Sequence, residues 1–148
     1  MTNSNNANNP ENVVADYYDG QAEVQKEVLA IEVRKTRNML FTLAVIVFAA
    51  DLLALVIANA VMMETIIVIA IVPLVLIGLA FLATREPLTA MIIAAAIIVG
   101  IWIYNIIITA GAAAIMGWLI KAVLAYMIFA GFQHAREAVR IKKELNLK

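Results

Sequence analysis

Four apolar runs of about 19 to 23 residues follow one another between Met39 and Phe132, separated only by short connections. A run of that length crosses a hydrocarbon core of roughly 30 Å as a helix. The runs cover residues 39–61, 65–83, 88–109 and 112–132. They do not alternate in ten-residue strands, and in lipid each segment must satisfy its own backbone groups, so helices are the form available. The connections are Met62-Met63-Glu64, Thr84-Arg85-Glu86-Pro87 and Ala110-Gly111. Links this short make successive helices antiparallel neighbours. The expected fold is therefore all-α: a polytopic membrane protein, a four-transmembrane-helix antiparallel bundle with helical extensions at both ends.

Composition agrees. Of 148 residues, 64% are hydrophobic and 15% charged, and the mean hydropathy is +0.92; a soluble domain is about half apolar and a quarter charged.

Lysine and arginine near the span ends set the orientation. Arg34, Lys35 and Arg37 precede the first span, Arg85 lies between the second and third, and Arg136, Arg140, Lys142 and Lys143 follow the fourth. The other two connections carry only Glu64. Both termini are thus expected to be cytoplasmic, on a multi-pass protein of the cell membrane. The first 38 residues lack an apolar h-region, so the first span is expected to double as the targeting signal. An asparagine-rich start and no signal peptide suit a bacterial inner membrane.

Outside the membrane domain (39–132), residues 1–20 read as a disordered polar tail ending in the turn signal Asp19–Gly20. Residues 21–38 read as an amphipathic helix with a stripe of Val24, Val28, Ile31 and Lys35, and Glu32 within reach of Lys35. Residues 133–148 read as a C-terminal helix with Ala135, Ala138, Ile141 and Leu145 on one stripe. The N-terminal extension is the more acidic and the C-terminal one the more basic, so the two can dock on each other.

Two charges lie deep in apolar runs, Asp51 in the first and Lys121 in the fourth. Counted from the cytoplasmic ends, both fall roughly 17 Å into the membrane. First and fourth helices of an up-down-up-down bundle are neighbours. An intramembrane Asp51–Lys121 ion pair is therefore expected, either fixing register or answering to ions and protons. Small residues accompany both charges: Ala44 and Ala58 around Asp51, Gly117 and Ala125 around Lys121. Such spacing lets helices approach closely. Asn59, Asn105 and Thr109 form a possible second polar layer toward the outer ends, and Pro73 is expected to kink the second helix.

No set of residues commits the chain to a reaction. The sequence has no cysteine, hence no thiolate chemistry or disulfide. It shows no phosphate-binding glycine loop, nucleophile elbow or metal motif, so no catalytic residue, cofactor or metal site is assigned. The single histidine, His134, reads as an ordinary interfacial residue. Trp102, Tyr104, Trp118 and Tyr126 read as aromatic belts. An acid in the first span with Trp102-x-Tyr104 in the third loosely resembles the small multidrug-resistance transporters, but the long cytoplasmic helices and the intramembrane lysine depart from that pattern.

The expected function is that of a small non-enzymatic integral membrane protein, a structural, accessory or assembly partner. Its environment is the lipid bilayer, and its cytoplasmic helices are the surface for a protein partner or self-association. The basic residues are few and interleaved with apolar ones, which does not suit nucleic acid. The rival is a small ion- or proton-coupled transporter or channel subunit using Asp51 and Lys121.

Overall fold

A computed structural model of the chain describes residues 10–57, 59, 62–108 and 117–145, with only the backbone described for 10–19 and 108. Four helices make up nearly all of it: α1 (Pro10–Ile57), α2 (Met63–Leu82), α3 (Pro87–Ile108) and α4 (Trp118–Glu144). No strand occurs among the described residues. Each helix is long and apolar enough to cross a membrane, the make-up of a multi-pass membrane protein. Only 17% to 22% of each helix's 18-residue apolar window is buried inside the molecule. Most apolar surface therefore points outward, more than water tolerates on a monomer.

The first helix is longer than the sequence suggests. It runs unbroken for 48 residues, so the turn expected at Asp19–Gly20 is not made and the helix begins eleven residues earlier (21 − 10), within the expected tail. Proline fits the first position of a helix. Gly20 costs about 1 kcal/mol inside a helix. A break there would instead orphan the backbone groups of two new helix ends. Residues 1–9 lie outside the described residues.

The inward face of the N-terminal extension also differs from expectation. Val24, Val28 and Ile31 are exposed (61%, 39% and 45%), while Glu32, Thr36 and Leu40 are buried. The helix continues straight into α1's apolar half, so the face that packs there dictates the face that packs here. That face is the stripe through Leu29, Glu32, Val33, Thr36 and Leu40. Thr36, fully buried, satisfies its hydroxyl by donating to the Glu32 carbonyl at 3.0 Å.

Between α2 and α3 the chain turns tightly. The N–H groups of Arg85 and Glu86 both donate to the Leu82 carbonyl at 3.0 Å, and the Thr84 hydroxyl donates to the Phe81 carbonyl at 2.7 Å. Pro87 opens α3, where its missing N–H leaves nothing unpaired. Pro73 is buried within α2, which continues as a helix on both sides of it.

The fourth helix starts at Trp118, not at 112. Gly117 adopts φ +69°, a left-handed conformation open to glycine, and caps the start of this helix. Residues 109–116 lie outside the described residues.

The core gathers around the α2–α3 turn. α1 contributes Leu40, Leu43 and Ala44; α2 contributes Leu76 and Ala80; α3 contributes Ala90, Met91 and Ala94; α4 contributes Leu124 and Ala135. α1 packs against the other three helices, and α3 packs against α2 and α4. Phe41 and Phe81 meet edge to face with ring centroids 5.9 Å apart. The close helix contacts fall on Ala80, Ala83, Ala90, Ala94, Ala135 and Ala138, all fully buried, as expected where packing alone draws helices together. At Gly131 a Cβ would lie 2.5 Å from Cε of Met91, so the Met91 side chain of α3 packs directly on the glycine of α4. The small residues flanking Lys121, by contrast, are exposed: Gly117 and Ala125 make no tight seam. Ala44 is buried as expected, and Ala58 lies outside the described residues.

Candidate functional site

The most developed polar site joins α1 to α4 beyond the apolar runs. Glu32 lies on the inward stripe of α1 with its side chain only 11% exposed. His134 sits on α4 next to core residue Ala135, among the buried small residues Gly131, Ala135 and Ala138. Nδ1 of His134 is 2.6 Å from one Glu32 oxygen, and Nζ of Lys35 is 2.7 Å from the other.

Burial pushes the Glu32 carboxyl up, but hydrogen bonds from Lys35 and His134, with their charges, outweigh it and hold the group below its ordinary value. Glu32 is then an ionised acceptor at neutral pH, and Nδ1 must be the donor in the His134 contact. Charge-assisted bonds of this length are among the stronger ones. The Glu32–Lys35 contact was legible as an i,i+3 pair. The His134 contact was not, and His134 is more than an interfacial residue. Two signals could have found it: Glu32 falls in register with Leu29, Val33, Thr36 and Leu40, and His134 abuts the small-residue stripe of α4. That stripe is as expected, with Ala135, Ala138 and Ile141 all buried. Farther along, Arg140 bonds Glu137 and Glu144 on the helix's own surface.

The residues singled out inside the apolar runs are placed differently. Asp51 and Lys121 are both half-buried on the packed helices α1 and α4, yet no ion pair joins them among the described residues. Lys121 belongs to the first turn of α4, its N–H donating to the Gly117 carbonyl at 3.1 Å. Asn59, at φ +49°, and Asn105 are exposed. Thr109 lies outside the described residues, so the polar layer is described only in part.

Beside the Glu32–His134 contact lies a groove of about 370 Å³. Leu29 and Val33 of α1 form one wall; Thr84, Arg85 and Pro87 of the α2–α3 turn form the second; Ala138 and Lys142 of α4 close it. No cluster of three or more metal-ligating side chains occurs among the described residues.

No family model, no curated protein and no solved structure matches the chain.

Proposed function

We propose that the chain is a four-span, antiparallel membrane bundle with both termini cytoplasmic, and that it serves as a non-enzymatic accessory or assembly partner. The observation that carries this reading is the Glu32–His134 contact. It fastens the extension of α1 to that of α4, so that two helical arms leave the membrane as one stiff unit with exposed outer faces. Val24, Val28 and Ile31 face outward there (61%, 39% and 45% exposed), an apolar strip suited to a protein partner or a second copy of the chain. The asymmetric placement of Lys and Arg supports the orientation, and a bacterial inner membrane fits the sequence best.

The test is purification in mild detergent from native membranes, beside a chain carrying Val24→Asp, Val28→Asp and Ile31→Asp. A stoichiometric companion, or a defined oligomer, lost in the variant supports the reading. A protein that emerges alone in both cases overturns it.

The transporter or channel reading is kept alive by one observation: Asp51 is a half-buried acid, within an apolar run, with no ion pair among the described residues. Reconstituted vesicles decide it. Proton or cation flux abolished by Asp51→Asn would establish transport, and the absence of flux removes it.

A further inference from the structure

We propose that the groove between Leu29 and Val33, the α2–α3 turn and Lys142 binds the phosphate-bearing headgroup of an anionic phospholipid; this rests on the membrane reading above. Arg85 and Lys142 come from different helical elements, 57 positions apart in the sequence (142 − 85), and both line the same groove. Neither forms an ion pair with a carboxylate among the described residues, whereas Lys35 and Arg140 nearby are both answered by glutamates. Thr84 also lines the groove, its hydroxyl already donating to the Phe81 carbonyl.

Two cations converging on a cleft are the chemistry of a phosphate site, with arginine offering a forked donor and lysine a point charge. About 370 Å³ lies in the range of small-ligand clefts, and an anionic headgroup fills it.

Position chooses the lipid over other phosphates. Arg85 and Pro87 stand where two apolar helices end, which is headgroup level in a bilayer. The other walls are apolar (Leu29, Val33, Ala138), fit for a glycerol backbone and the first methylenes of an acyl chain. Bases just outside spans on the cytoplasmic side also meet the anionic leaflet.

The experiment uses full-length protein in nanodiscs holding phosphatidylcholine doped with phosphatidylglycerol, with retained lipid counted by native mass spectrometry. Three chains are compared: wild type, Arg85→Gln/Lys142→Gln, and Arg136→Gln/Lys143→Gln, which removes the same charge from exposed positions outside the groove. We expect wild type and the second variant to retain phosphatidylglycerol alike. The groove variant should bind it at least tenfold more weakly, since the loss of one charge-assisted contact alone gives about that factor. Equal weakening of both variants means charge alone attracts the lipid and overturns the site. Unchanged binding in the groove variant also overturns it. Displacement of the lipid by millimolar inorganic phosphate assigns the groove to a soluble phosphate and overturns the lipid assignment. Alkaline extraction of native membranes runs in parallel. Release of wild type there sinks the membrane reading, whereas a pelleting protein with an indifferent groove sinks this inference alone. Circular dichroism and size exclusion confirm that each variant is folded before its binding is scored.

Discussion

Glu32 of α1 and His134 of α4 are separated by 102 positions in the sequence, yet their side chains meet at 2.6 Å. With Lys35 on the other carboxylate oxygen, the contact closes one end of the bundle outside the apolar core.

Removing the carboxylate should loosen that closure. Glu32→Ala leaves His134 and Lys35 without their acceptor, and a lost charged hydrogen bond costs about 2 kcal/mol. For a chain of this size that is a fall in Tm of roughly 4–8 °C, measured by thermal unfolding in detergent. His134→Ala should cost about half as much, because Lys35 still answers the carboxylate, and His134→Gln should recover part of the loss. A Glu32→Ala chain as stable as wild type would show that the contact holds nothing.

The same carboxylate gives a pH dependence of known sign. Its folded value lies below the ordinary 4.5, so its contribution is fully present above that value and is lost as pH falls through it and on through the lowered folded value. Wild type should lose Tm across that acidic window. Glu32→Gln should start lower and show a shallower decline, while neutral to mildly basic pH leaves the Glu32 contribution intact.

Gly131 separates two opposing effects. Alanine there gains about 1 kcal/mol of helix propensity, against the shift forced on the Met91 methyl 2.5 Å away. Because the clash is with the end of a flexible side chain, Gly131→Ala should be near neutral. Gly131→Val should cost about 1–3 kcal/mol by overpacking, and Met91→Ala should relieve it. A double-mutant cycle on Tm measures the coupling.

The orientation is testable without background labelling, since the sequence has no cysteine. Single cysteines at Glu64 and at Glu144 should be reached by an impermeant thiol reagent from opposite sides of sealed membranes, Glu64→Cys from outside and Glu144→Cys only after permeabilisation. Labelling of both from one side would rule out the four-span arrangement.

Hydropathy made the apolar helices legible, because a run of about 20 apolar residues has few alternatives. The α2–α3 turn was legible too, because Pro87 marks a helix start. What stayed hidden depends on relations between distant residues. Asp19–Gly20 reads as a turn by local chemistry, yet the cost of ending α1 there outweighs one glycine. The inward face of the extension could not be taken from its apolar residues, since the buried positions include Glu32 and Thr36. A lone histidine reads as ordinary until its partner on another helix is known. The depth argument for Asp51 and Lys121 assumed a fourth helix beginning at 112. With Gly117 left-handed and α4 beginning at Trp118, Lys121 moves to a helix end.

The unbroken α1 has a mechanical consequence. At 1.5 Å per residue its 48 residues extend about 72 Å, more than twice the hydrocarbon thickness of roughly 30 Å. With no joint between the apolar half and the polar half, a tilt or rotation imposed on one must appear at the other, enlarged by the length of the rod. Whatever grips the polar end of α1 therefore holds torque on its apolar half.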